Sequence, residues 1–304
     1  MASTEIKYFL GGIKTNSAAR LSSTADTEIK ASHEFSPPEF ESIRAANGAL
    51  LLYRNQLLFL DFVRWNLEEF FDLEERTLLH GLDKSQDPAR SPDLDLNRCL
   101  LNFLSSVRAY LDHTETDLTR RFGEDNERYR RFQRLTAELY DNHFSYRFMY
   151  KFRNFAQHCG LPLDSFSHRS SSTSRTLQVA VSRSRLLGEF DWGKLRPEIE
   201  RLPEKVELGE FAAVHVQHLT ELHLSLCAEE LPQVRRAAEL VLSAAARVPK
   251  QEGIPVVLSV PTAFPIAVSP ARGRQVTFDH FPLMVDMALH IAGSLSSHSA
   301  LDPQ

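Results

Sequence analysis

Cysteine is scarce in this chain. Three occur among 304 residues, Cys99, Cys159 and Cys227. They lie far apart, are odd in number and form no CxxC pair, so neither a disulfide framework nor a zinc ribbon is indicated, and a reducing, cytoplasmic setting is expected. Long apolar runs are also missing. The most apolar stretch, GALLLYRNQLLFLDFV, is broken by Arg54, Asn55, Gln56 and Asp61 and is too short and polar to span a bilayer. YFLGGI near the start is too short for the apolar core of a secretory signal. No membrane partner is therefore expected. P-loop, GxGxxG and GxSxG patterns are absent, which leaves nucleotide hydrolysis, a Rossmann cofactor and serine-hydrolase chemistry without support. Neither sign of charge dominates: the formal net charge is -5 and the pI about 6.2, so a nucleic-acid surface would have to be a local patch.

What is present reads as one large or two smaller soluble domains, 42% apolar and 25% charged. Residues 1–35, rich in Ser, Thr and Ala, read as an arm or short ribbon. SPPEF places Ser36 as N-cap and Pro37 at the first helical position. From Glu39 to about Leu79 apolar residues recur at helical spacing, with Leu51, Leu58, Phe62, Trp65 and Phe70 as the expected core stripe. A polar linker over 83–96 precedes a second helix, about 96–122, with the stripe Leu100, Leu104, Val107, Leu111 and Leu118. Gly123 stops it. A third helix is predicted from about Asp125 to Cys159, bent near Asp141–Asn142 and ended by Gly160 and Pro162. Short connections imply an antiparallel bundle over 36–163. The Ser-rich stretch 164–176 reads as a linker. Residues 177–304 read as an α-rich region with short strands: TLQVAVS as a strand, DWGKLRPEIERLPEKVEL as a short helix and turn, two helices over 209–247 parted near Pro232, β-like runs IPVVLSV, FPIAVS and QVTF, and a helix near 281–295. The fold class expected is mainly α.

FSYRFMYKFRNFAQHCG, residues 144–160, stands out. At about 100° per residue the helix divides cleanly. One arc holds Phe144, Phe155, Phe148, Cys159, Phe152, Ala156 and Met149, an apolar face suited to a core. The other holds Arg153, Tyr146, Gln157, Tyr150, Asn154, Arg147, His158 and Lys151. That polar arc carries no acid, and an acid-free cationic face with tyrosines suits an anionic partner. Residues 120–160 agree, with nine Lys or Arg against five Asp or Glu. Arg120, Arg121, Arg128, Arg130, Arg131 and Arg134 extend the basic run. Basic amphipathic faces are also common where no nucleic acid binds.

Within this segment RNFAQH, with Arg153, Asn154 and His158, resembles the R-N-x-x-x-H signature of the HEPN superfamily, near the end of the last long helix of a bundle spanning roughly 36–162. A spacing of Arg to His recurs at Arg108–His113 and at Arg274–His280, but only Arg153 is followed by Asn. The resemblance implies a HEPN-like helical bundle and a metal-independent endoribonuclease, acting as a homodimer, of a kind found among toxins and defence effectors. It also leaves room for a non-catalytic module that binds RNA or protein. In the catalytic reading His158 moves a proton at the 2′-OH or the leaving 5′-oxygen, Arg153 stabilises the phosphate oxygens, and Asn154 fixes the histidine or holds the phosphate. Arg147, Lys151, Tyr146, Tyr150 and Gln157 are the substrate-binding candidates, His113 and Glu115 supporting ones. Because Arg153 and His158 lie about 140° apart on one helix, the site is expected to be shared across a two-fold interface. RNA and a possible antitoxin or regulatory protein are the expected partners, with no cofactor or metal. HVQHLTELH places His215, His218, Glu221 and His223 on one helix. Metal binding would be one use for such a set, but the spacing is not that of a zincin, and a surface or packed face is the expected reading. Cys159, on the apolar arc, reads as a packing residue.

Overall fold

The computed structural model describes residues 6–15, 27–81, 91–171, 174–261 and 279–298. It is mainly helical with two small antiparallel sheets. The chain divides into two compact units, residues 1–55 with 229–304, and residues 56–228. This is not the expected division: the stretch 164–176, expected as a linker, falls inside the second unit and carries a strand.

In the first unit, β1 (Ile6–Thr15) and β2 (Thr27–Phe35) form a hairpin, so the N-terminal segment is a ribbon rather than an arm. β6 (Ile254–Pro261) pairs antiparallel with β1, and β7 (Asp279–Pro282) with β6, giving the order β2-β1-β6-β7. Phe9, Val256, Leu258 and Val260 make its small core. Backbone approaches backbone closely at its edge. A Cβ on Gly12 would meet the Glu252 carbonyl, and one on Gly253, at φ 92°, would meet that of Ile13. α8 (Leu231–Ala245) and α9 (Val285–His298) pack on each other. The expected strands FPIAVS and QVTF lie outside the described residues, as does Arg274.

α1 (Pro37–His80) starts where Ser36 and Pro37 predict. The Ser36 amide and hydroxyl both donate to Glu39, at 3.0 and 2.8 Å. It ends at Gly81, whose φ of 84° suits a residue without Cβ and whose amide donates to the Thr77 carbonyl. Of the expected core stripe only Phe70 is buried, and the rest is corrected here. In the second unit the helix buries Leu60, Val63, Leu67 and Phe70, while Leu51, Phe62 (40% exposed) and Trp65 (53% exposed) face outward. Apolar residues surround this helix, so spacing alone admitted two phases.

α2 (Pro92–Phe122) begins one turn earlier than expected and buries Leu100, Leu104, Val107, Leu111 and Leu118. It runs antiparallel to α1, since Gln56 meets Asp117 and Glu69 meets Arg98. The expected third helix is two: α3 (Glu127–Asn142) and α4 (Phe144–His158), broken at His143, which caps both. α4 packs on α7 (Gly209–Cys227), a helix expected in a separate C-terminal region, which here completes the bundle. Between them, β3 (Ser165–Ser170), β4 (Arg175–Ser182) and β5 (Lys205–Glu207) form a three-stranded sheet. α5 (Arg183–Glu189), a short 3₁₀ turn at Gly193–Leu195, and α6 (Arg196–Ile199) fill the connection. Among the described residues no helix is long and apolar enough to cross a membrane.

Candidate functional site

The apolar arc of α4 explains its position. Phe148, Phe152 and Phe155 are fully buried and form a ladder with centroids 5.5 Å apart, and Trp192 stacks on Phe148 and Phe155. Phe144 is only half-buried. The Trp192 indole donates to the Leu186 carbonyl at 2.6 Å, so a large aromatic core carries no orphaned donor at that point. Cys159 is half-buried, and its thiol donates to the Glu189 carbonyl at 3.2 Å.

The polar arc divides into three groups. The first is structural. Arg147 forms a two-pronged pair with Glu198 at 3.0 and 3.1 Å and donates to the Tyr140 and Asp141 carbonyls at 2.9 and 2.7 Å. It thus caps the end of α3. Lys151 donates to the Trp192 carbonyl at 2.8 Å. For Arg147 the acid missing from the face is therefore supplied by another element, α6. Tyr146, placed by the wheel on the polar arc, is buried against His215 of α7, ring centroids 4.7 Å apart. The incoming helix α7 covers that side of α4, and burial raises the Tyr146 pKa, with Tyr150 adding to it.

The second group lines a cavity. Tyr150, Arg153 and Asn154 of α4, Arg108 of α2 and His215 of α7 surround it, over a floor of Leu104, Val107, Leu111 and Met149. About 30 Å³ is left for water-sized groups, within about 370 Å³ of empty space that opens to solvent. An Arg153 Nη1 donates to Asn154 Oδ1 at 3.3 Å, while its Nε is buried without a partner. Arg108 pairs with Asp112 at 2.7 and 2.9 Å, and its other arm reaches the Tyr150 hydroxyl at 3.4 Å. His215 is 0% exposed and neither ring nitrogen has a partner. Burial, with His218 adding, pushes its pKa down to about 3, so the ring is neutral.

The third group, Gln157 and His158, is exposed at the end of α4 and does not line the cavity. His113 stacks on Phe59 at 3.9 Å and Glu115 accepts from Tyr129 at 3.1 Å, so these two meet α1 and α3 and do not reach the cavity wall. The basic run is largely compensated: Arg121 pairs with Asp117, Arg130 with Asp125 and Arg134 with Glu127. Arg121 and Arg128 also lie over the Phe122 ring.

The histidines of α7 are packed, not exposed. His218 lies against His143 at 4.3 Å, and His223 is near Cys227 Sγ at 3.6 Å. Burial lowers His218 and takes His223 to about 4. Among the described residues no group of three or more His, Cys, Asp or Glu is placed to share a metal ion. Sequence reasoning named Arg108 and His215 but set both aside. Their signals, an Arg108–His113 spacing without the Asn and one of three histidines on a helix, gain meaning when three helices converge.

No protein-family model, curated protein or solved structure matches this chain.

Proposed function

We propose that the chain is a metal-independent endoribonuclease of HEPN type working as a homodimer, with Arg153, Asn154 and His158 as its working groups. The observation that carries this reading is Arg153. Its guanidinium is half-buried, its Nε has no partner, and no carboxylate of a described residue lies within 4 Å of it. An uncompensated, partly desolvated cation is suited to a phosphate. Asn154 holds its Nη1, and His158, exposed at the end of α4, is free to move a proton at a 2′-OH. The chemistry breaks the P–O5′ bond as the 2′-oxygen attacks phosphorus, leaving a 2′,3′-cyclic phosphate and a 5′-OH. A toxin or defence role, and a regulating partner in the same cytoplasm, belong to this reading.

A second reading is a non-catalytic RNA- or protein-binding module. Its protein-binding form is favoured by Arg147 and Lys151, which are spent on contacts within the chain rather than left for RNA. Incubating the purified protein with total RNA in EDTA, followed by end-group analysis, separates the two. RNA cleavage that His158→Ala reduces by about 10²–10⁴-fold, with DNA of the same sequence left intact, is the expected result. Equal cleavage of DNA, or full activity in His158→Ala, overturns it. RNA binding without cleavage turns the choice to the module.

A further inference from the structure

The cavity between α2, α4 and α7 is lined by two residues, Arg153 and His215, that keep polar atoms unsatisfied by any contact within the chain. A buried polar atom without a partner is costly, because it has given up water and gained nothing in return. Three such atoms belong to two residues that line this one small space: the Arg153 Nε and both ring nitrogens of His215. Charge points the same way. Arg108 is neutralised by Asp112, His215 is uncharged, and Arg153 has no acid beside it. The cavity therefore carries one net positive charge.

We propose that this cavity is a phosphodiester subsite built within a single chain, in which Arg153 supplies the charge and His215 a neutral hydrogen bond to the non-bridging oxygens. Size sets the mode of entry. With about 30 Å³ for water-sized groups at its centre, the cavity takes one or two oxygens, and the ester arms remain in the open mouth. One net charge matches one negative charge. A phosphodiester carries one at neutral pH, whereas inorganic phosphate is largely a dianion and would bring an excess charge into a partly apolar pocket. Tyr150, at the rim and 37% exposed, is placed to lie against a base of the bound diester. His215 sits on α7, outside the RNFAQH helix, so recognition of phosphate needs no second copy, and dimerisation is left to bring His158 into play.

This inference deepens the proposed function and rests on α4 meeting phosphate, but not on cleavage. The test is titration of the full chain, labelled at histidine and arginine side-chain nitrogens, with dimethyl phosphate, with thymidylyl-thymidine (a diester lacking the 2′-OH) and with inorganic phosphate at pH 7.5. Both diesters should shift the His215 ring and Arg153 Nε–H signals, and inorganic phosphate should bind about tenfold more weakly. Arg153→Gln, half-buried and off the core arc, should abolish the shifts. His215→Phe, which keeps the ring volume, should weaken diester binding while RNA cleavage of any kind is scored separately. Absence of a shift with either diester in the wild-type protein overturns the proposal, without reliance on any variant folding. So does a shift that persists in Arg153→Gln, or tighter binding of inorganic phosphate than of the diesters. Diester binding without RNA cleavage supports the subsite and removes the nuclease. RNA cleavage with no diester shift removes the subsite and leaves the nuclease.

Discussion

Arg147 shows how one side chain can be claimed by structure and by function at once. On a wheel it belongs to the cationic face, yet its guanidinium spans Glu198 and the last carbonyls of α3. Arg147→Ala should lower stability by about 1–3 kcal/mol in urea denaturation, and an unchanged midpoint would show the pair to be idle. Lys151→Ala should likewise act through the Trp192 carbonyl before it acts on RNA. Buried titratable groups make a second expectation. His215 and His223 are neutral in the native chain, while in the unfolded chain they protonate near 6.5. Below that pH the unfolded state binds more protons. Stability should therefore fall on acidification, from pH 6.5 toward about 4 for His223 and about 3 for His215, at about 1.4 kcal/mol per pH unit for each. Glu74 opposes them. Burial, with Glu207 adding, takes its carboxyl up to about 7, so its contribution is full below 4.5 and lost as pH rises through 7. Two histidines outweigh one glutamate between pH 6.5 and 5. Urea unfolding at pH 7, 6 and 5 should give a falling free energy, and a flat or rising series would mean that these imidazoles are hydrated.

At the scale of elements, α4 is the part whose burial follows most directly from spacing. Phe152 is 0% exposed and Tyr150 37%, as the split of the two arcs demands. Phe152→Ala should cost about 3–5 kcal/mol, measured as a shift in the thermal or urea midpoint. A loss under 1 kcal/mol would mean that Trp192 and its neighbours close the gap. Tyr146 was misplaced because a wheel knows only its own helix, and α7 arrives from some seventy residues further on to cover that side. α2 was legible for the opposite reason: its apolar residues form one narrow stripe with polar residues elsewhere. α1 was legible in extent but not in phase, since Leu57, Leu58, Phe59, Leu60, Phe62 and Val63 nearly encircle it. β3 was missed because SFSHRS has no strand composition. Its order comes from pairing with β4 and from Asp164, which accepts from the Ser182 amide and hydroxyl. Of the candidate site, Arg153 and Asn154 could be named from the sequence. The convergence with Arg108 and His215 could not, because it depends on the tertiary arrangement of three helices.

At the scale of the molecule, the two units have separate cores. The large aromatic cluster belongs wholly to residues 60–222, and the smaller one to Phe9 and β6. Both tryptophans, Trp65 and Trp192, lie in the second unit. Intrinsic fluorescence should therefore follow that unit alone, while far-ultraviolet circular dichroism follows both. Non-coincident urea transitions are expected, and superimposable curves would mean that the units unfold as one.

The contact between β1 and the turn before β6 has a consequence for descent. Gly12 presses against the Glu252 carbonyl of the turn, and Gly253 against the Ile13 carbonyl of β1, so closely that a single methyl group on either would strike it. A surface arginine can drift, and a motif of three fixed letters can arise by chance. Replacing either glycine would force the turn away from β1, so each position is constrained by the same close approach. In a homologous chain, their paired retention would be a more durable mark of common origin than the motif on α4.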